Sequence, residues 1–142
     1  MEVSDVRKRL RQVLDDIKRS EATKRTRNDA ASKAYAVFLP NTATPLFRTI
    51  AAALTAEGLP FRVSNPAASV RLASEHSPED FVELELDASG PLPQVMGRIN
   101  RRRGSRVVRI ERPIREAASI DSLSDEDVLA FVLSGVAELL ER

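Results

Sequence analysis

The sequence predicts an α+β domain in which helices pack against one antiparallel sheet. Near both ends of the chain, apolar residues recur every three or four positions, which is the spacing of an amphipathic helix. Between residues 60 and 113 they alternate with polar residues instead, which is the spacing of strands with one buried face. The connections between these alternating runs are short. They favour a meander of four or five antiparallel strands, because parallel strands need long crossovers.

The first predicted element is a long amphipathic helix that starts near residue 4, with Ser4 or Asp5 as its cap. Its apolar stripe is narrow and resembles the seam of a coiled coil more than a core-facing surface. Two heptads are too short to form a stable coiled coil alone, so we expect the stripe to pack on a second copy or on the protein's own body. This candidate self-association stripe consists of Val6, Leu10, Val13, Leu14 and Ile17, with Val3 extending it.

Residues 18–29 contain no large apolar side chain, but no Pro or Gly interrupts them. One continuous helix is therefore favoured, and a break with a new cap at Asn28 or Asp29 is the alternative. An apolar face returns at residues 30–39, and Pro40 is expected to end the helix because the residue before a proline is disfavoured in the α region. A short strand at residues 35–39 is the alternative for this last part.

A second, shorter helix is predicted over residues 45–57. Thr44 precedes Pro45 as a cap before a proline at the first helical position, and Gly58 suits a left-handed C-cap. The alternating runs then predict strands at residues 61–64, 70–73, 82–87, 95–99 and 106–111, and Pro113 ends the last one.

After a linker at residues 114–123, Ser124 is expected to cap a C-terminal helix whose first turn is acidic. We expect this helix and the second helix to cover one face of the sheet, leaving the other face charged. The predicted apolar face of the C-terminal helix comprises Val128, Leu129, Val132, Leu133, Val136, Leu139 and Leu140, and Gly135 allows close packing. The chain is thus divided into an N-terminal helix for self-association, residues 1–39, and a single α+β domain, residues 40–142.

Composition excludes several classes of function. The 142-residue chain has a formal net charge of +1, which does not suit a generic polyanion binder. It has no cysteine, so disulfide and thiol chemistry are excluded. No apolar run is long enough for a membrane span, and the first residues do not resemble a secretion signal. A cytoplasmic location without a membrane partner is therefore the expectation.

The most basic stretch of the chain, residues 98–109, is predicted to form a hairpin, which we call the arginine hairpin. It contains six arginines in twelve residues and no acid. Arginines around a turn at Gly104 would be exposed and able to contact phosphates, which require charge and reach more than a fixed geometry. The competing interpretation is that they are solvated or paired with Glu83, Glu85 and Asp87 across the outer sheet face. The candidate anion or nucleic-acid site comprises Arg98, Arg101, Arg102, Arg103 and Arg106.

No pattern indicates catalysis, a metal or a cofactor. His76 is the only histidine, and its acidic neighbours belong to a predicted turn where such residues are common. The chain has no His/Cys set with metal spacing, no glycine-rich phosphate loop and no nucleophile motif. The sequence therefore favours a non-catalytic cytoplasmic interaction module, adaptor or chaperone-like, that forms a homodimer through its N-terminal helix. The alternative is a nucleic-acid or polyanion binder that uses the arginine hairpin.

Overall fold

A computed structural model describes residues 1–141 and has the predicted α+β architecture. Three helices and one five-stranded antiparallel sheet follow each other along the chain. The helices are α1 (Val3–Phe38), α2 (Thr44–Ala56) and α3 (Asp125–Leu140), with a π-helical segment at Leu39–Ala43 and a 3-10 turn at Ile120–Ser122. The strands are β1 (Phe61–Ser64), β2 (Ser69–Ser74), β3 (Phe81–Asp87), β4 (Gln94–Arg103) and β5 (Arg106–Pro113).

Helix α1 runs without a break over 36 residues. The favoured continuous helix is confirmed, and both the break near residues 28–29 and the strand at residues 35–39 are wrong. The predicted caps are also wrong, because the helix starts at Val3 with Glu2 as N-cap and no side chain bonds to its first turn. At 1.5 Å per residue, α1 is about 54 Å long.

Pro40 does not end the helical path. Leu39 keeps right-handed helical angles (φ −60°, ψ −56°), and the chain passes through the π segment directly into α2. The Thr44 N–H reaches back five residues to the Leu39 carbonyl, a register that carries the path past two prolines, Pro40 and Pro45. The predicted cap at Thr44 is wrong, because Thr44 is the first residue of α2, Ala43 is its N-cap and no side chain bonds to the first turn. Gly58 does end α2 as predicted, with a positive φ of 82°.

The sheet is a meander in the order β1-β2-β3-β4-β5, and every neighbouring pair is antiparallel. Strand β4 is longer than predicted and continues to Arg103, which pairs with Arg106 of β5. The hairpin turn is thus reduced to Gly104 and Ser105, with Gly104 at φ 63°. Arg101, Arg102 and Arg103 consequently belong to a paired strand and not to a mobile loop.

Helices α2 and α3 cover one face of the sheet, α2 over β1 and β2 and α3 over β3 and β4. Glycine permits the closest approach: a Cβ on Gly97 would overlap the Phe131 ring, and one on Gly135 would lie 2.7 Å from the Val82 side chain. The close packing expected at Gly135 is therefore confirmed. The fully buried centre consists of Phe47, Val70, Leu72, Val82, Leu84, Ile99, Val128 and Val132.

Helix α3 starts with the predicted cap. The Ser124 hydroxyl accepts from the Asp127 N–H at 3.3 Å, and the Asp127 carboxylate accepts from the Ser124 N–H at 2.9 Å, which makes a reciprocal capping box. Its buried face is rotated from the predicted one, since Leu133 and Leu140 are exposed while Phe131, absent from the prediction, is buried. Among residues 1–141, no helix has the length and apolar character needed to cross a membrane.

Candidate functional site

The N-terminal part of α1 stands away from the rest of the protein. Residues 1–27 are all exposed, and we call them the arm. Burial begins at Asn28 and becomes complete at Tyr35 and Phe38, which pack in the core. The body-facing part of α1 packs largely on the π segment and the 3-10 turn. The first part of the helix therefore has no tertiary contact with the body to stabilise it.

The predicted self-association stripe lies on this arm and is uncovered. The exposed fractions of its members fall between 46% and 53%, as expected for apolar side chains on a helical segment without tertiary contacts. At 100° per residue they span about 100° of the helix circumference together with Val3. The structure thus brings Val6, Leu10, Val13, Leu14 and Ile17 onto one continuous apolar surface in solvent.

The remaining surface of the arm is strongly basic. Arg7, Arg11, Lys18 and Arg25 lie within about 40° of one another around the helix, and we call them the basic stripe. Within residues 1–27, the one ion pair is an exposed contact of 3.6 Å between Asp16 and Arg19. The cations of the basic stripe have no acidic partner among the described residues, so they present their charge to solvent.

The arginines of the arginine hairpin are placed differently. Arg98 is on the outer face of the sheet, in a row of alternating charges that runs across four strands. Its Nε donates to Glu111 at 2.9 Å and its NH1 donates to Glu83 at 3.2 Å. Burial acts to lower the pKa of Arg98, but the hydrogen bond and charge of Glu111 and the charges of Glu83 and Glu85 outweigh it and raise that pKa.

Glu83 is the centre of this outer row. It is buried although it lies on the polar face, because Arg71 and Arg98 cover it from both sides. The Arg71 Nε donates to Glu83 at 2.6 Å, and the Arg71 guanidinium also stacks over the Phe81 ring at 4.0 Å. The cross-strand ion pairing expected on this face is present in the structure. It engages the guanidinium of Arg98, which donates to Glu83 and Glu111.

Arg101 and Arg103 project from the opposite face of β4, toward the C-terminal end of α3. The Arg103 guanidinium donates to the carbonyl oxygens of Leu139 at 2.6 Å and Glu141 at 3.2 Å. Arg101 donates to the carbonyl of Glu138 at 3.3 Å. The last carbonyls of a helix have no partner within the helix and carry a partial negative charge, so these two arginines cap α3.

Acidic residues from the turn before β3 hold the same strand. Asp80, which is buried, accepts from the Arg102 N–H at 2.7 Å and from Arg103 NH1 at 3.1 Å. Arg102 also pairs with Glu79. Four of the five candidate anion-binding arginines are therefore engaged within the protein. Arg106 is exposed, and its side chain makes no hydrogen bond or ion pair within residues 1–141.

His76 lies in the exposed turn between β2 and β3, in a shallow depression that Arg102 and Gly104 also line. Within the described part of the chain, no group of three or more His, Cys, Asp or Glu side chains is arranged to hold a metal ion.

No protein-family model, curated protein or solved structure matches the chain. The geometry of the described residues therefore carries the functional proposal.

Proposed function

We propose that the protein is a non-catalytic interaction module that self-associates through the arm, with a second copy of the chain as its partner. The observation that carries this proposal is the uncovered apolar stripe on the arm, which has no contact with the body. Pairing with a second copy supplies the same stripe to both chains at once, as in a two-fold interface.

The energetics favour a weak and concentration-dependent assembly. Burying a full Val, Leu or Ile side chain contributes about 1.5–3 kcal/mol, and the stripe side chains are already about half covered by their own helix. Two copies of the stripe would thus contribute on the order of 10 kcal/mol, against an association cost of about 4–15 kcal/mol. We expect a dissociation constant in the micromolar range or weaker.

The titratable groups and the arrangement that self-association would produce also support a non-catalytic role. Burial followed by the charges of Glu85 and Glu83 raises the pKa of Tyr35, and structural hydrogen bonds or ion pairs account for the shifted pKa values of Asp87, Arg98 and Asp127. Self-association would join two copies of the α+β body through one helical connection. This is a simple arrangement for an adaptor or chaperone-like protein, whose bodies remain free to bind other proteins.

The direct test is the mass of the full-length protein in solution as a function of concentration. The triple variant Leu10→Gln, Val13→Gln, Ile17→Gln removes the apolar stripe while keeping good helix formers. Sedimentation equilibrium should show a monomer for this variant and a rising average mass for the wild type, toward twice 15.7 kDa.

The matched control is Lys8→Gln, Asp15→Gln, Ala22→Gln, which changes the same number of positions on the far side of the same helix. It should assemble like the wild type. A wild type that remains monomeric at millimolar concentration, or a stripe variant that assembles as well as the wild type, contradicts the proposal.

A second candidate function is polyanion binding, and the observation that favours it is the unpaired basic stripe. In a salt series with duplex DNA, the variant Arg7→Gln, Arg11→Gln, Lys18→Gln, Arg25→Gln should lose affinity and show a shallower salt dependence, by about 0.9 in log–log slope per lost phosphate contact. Arg106→Gln tests the arginine hairpin without disturbing the cap of α3. No binding of the wild type at low salt eliminates this candidate, and loss through Arg106→Gln alone moves the site to the hairpin.

A further inference from the structure

We infer that two arms pair antiparallel, in the register that places Leu10 of one copy opposite Val13 of the other. This inference rests on the proposed self-association and adds the orientation and the contacts of the partner. It follows from four properties of the arm: its heptad positions, its flanking charges, the polar positions that follow its stripe, and its exposed length.

The heptad positions define the layers of the pair. Val3, Leu10 and Ile17 occupy position a, and Val6 and Val13 occupy position d. In an antiparallel pair each a residue faces a d residue of the other helix. The proposed register therefore stacks Leu10 on Val13 and Val6 on Ile17, each twice by symmetry. All four layers are apolar, and the terminal Val3 faces Ser20 of the second copy.

The flanking charges select this register among the antiparallel ones. It brings Arg9 next to Asp16 of the second copy, twice, and lays the aliphatic part of Arg7 on Leu14. A shift of one heptad toward the N-terminus would instead oppose Arg7 to Arg7 and Arg9 to Arg9. A shift in the other direction would oppose Asp16 to Asp16 and put Leu10 against Ser20. Both shifts oppose like charges. The second shift also brings Arg7 next to Glu21, but only its two Val13–Ile17 layers remain fully apolar.

A parallel pair is disfavoured by the residues that follow the stripe. The a and d positions after Ile17 are Ser20, Lys24 and Arg27, and α1 remains helical through all of them. In a parallel pair Lys24 would face Lys24 and Arg27 would face Arg27 across the seam. The d positions are valines, whereas parallel two-stranded coiled coils favour leucine there.

The exposed length of the arm fits the antiparallel register. In that register, the outermost layer places Val3 of one copy opposite Ser20 of the other. Burial against the protein's own body begins only at Asn28. Residues 21–27 therefore separate the paired layers from the body by about 10 Å along the helix.

The first experiment exchanges the flanking charges. Arg9→Asp and Asp16→Arg should each weaken association of the full-length protein about tenfold at low salt, because each creates two like-charge contacts per dimer. The double variant Arg9→Asp, Asp16→Arg restores opposite charges and should return the dissociation constant to within about threefold of the wild type. A double variant weaker than either single variant overturns the inferred contacts.

The second experiment determines the orientation of the two helices by disulfide crosslinking. The native chain has no cysteine, so only the introduced cysteines can form a disulfide. Val6→Cys and Ile17→Cys chains, mixed and oxidised, should form the mixed disulfide, since residues 6 and 17 are opposed only in the antiparallel register. Val6→Cys alone should not crosslink, because its two copies are then about 16 Å apart. Lys8→Cys, on the far face, measures random collision.

The outcomes separate the two proposals. A mixed disulfide without a Val6→Cys homodimer supports the antiparallel pair. A Val6→Cys homodimer above the Lys8→Cys background indicates a parallel pair, which overturns this inference but leaves self-association intact. Crosslinking no higher than that background, with a monomeric wild type by sedimentation, removes both. A mass of four copies overturns the two-helix pairing.

Discussion

Tyr35 lies where the long helix meets the body, and its environment controls its ionisation. Its hydroxyl donates to the Ala68 carbonyl at 2.6 Å. Burial, followed by the negative charges of Glu85 and Glu83, raises the pKa of Tyr35 from 10.0 to about 12. The neutral phenol is thus favoured in the folded state. Its contribution to stability is complete below pH 10 and is lost as the pH rises through 12.

The first prediction is that the phenolate absorbance near 295 nm titrates with a midpoint close to 12. Tyr35 is the only tyrosine and the chain has no tryptophan, so the signal reports on this one side chain. Far-UV circular dichroism on the same samples verifies that the helices persist. A midpoint near 10 in protein that is still folded would show that the hydroxyl is not buried against Ala68.

The second prediction concerns the arginines that cap α3. Arg103→Met keeps the aliphatic part of the side chain but removes its donors to Leu139 and Glu141, which leaves helix carbonyls without partners and Asp80 without its guanidinium partner. We expect a loss of about 1–3 kcal/mol in the free energy of unfolding, measured by urea denaturation. Arg106→Met, three residues beyond in the same hairpin, should change it by less than about 0.5 kcal/mol. Equal effects of the two variants would contradict the capping role.

These arginines also show what the sequence could not provide at the residue scale. Their number and the hairpin were predictable from composition and spacing. The face to which each one projects depends on the length of β4, because successive strand residues point to opposite sides. A strand that ends at residue 99 leaves Arg101 and Arg103 in a loop, whereas the observed strand directs both to α3. The pairing of Arg98 with Glu83 was foreseeable, since both lie in strands of clear alternation.

At the scale of elements, periodicity predicted all three helices and all five strands, but it did not predict how the first two helices join. The rule that a proline ends a helix assumes the usual register of hydrogen bonds. In the π segment, the Thr44 N–H bonds to the Leu39 carbonyl instead, so the path continues past Pro40. This change of register depends on tertiary packing around Ala43, which is fully buried, and a local pattern does not contain that information.

The third prediction tests the contact between α3 and β4. Gly97→Ala places a methyl group where the Phe131 ring lies, so that ring or the helix must move. We expect a destabilisation of about 1–3 kcal/mol by thermal or urea unfolding. Gly90→Ala is the control, because nothing lies within 4 Å of the corresponding Cβ position. A Gly97→Ala variant as stable as that control would show that α3 does not approach the sheet so closely.

On the scale of the whole molecule, the chain combines a body with a dense core and an arm with none. Most helical stability in proteins comes from tertiary packing, which the arm lacks within one chain. The body and the arm should therefore open independently, with very different free energies. The sequence predicted an N-terminal helix for self-association at residues 1–39, and the exposed part of that helix ends near residue 27.

The fourth prediction follows from that division. Amide hydrogen exchange of the full-length protein should show strong protection in β2, β3, β4 and α3 at every concentration. Protection of residues 3–22 should be weak in dilute protein and should rise as the concentration increases and the arms pair. The Leu10→Gln, Val13→Gln, Ile17→Gln variant should lack that rise. Strong protection of the arm in dilute wild type would show that a contact within one chain already covers it.

The arginine hairpin also affects aggregation, because its second strand, β5, forms an edge of the sheet. Strand β5 has one unpaired edge, and its Val107 and Val108 are exposed. Free edges of this kind promote aggregation through strand addition. Arg106 and Arg112 project on one face of β5 and Arg109 on the other, so a second β5 aligned antiparallel would meet arginines on both faces. The excess of positive charge at this edge thus opposes aggregation through strand addition.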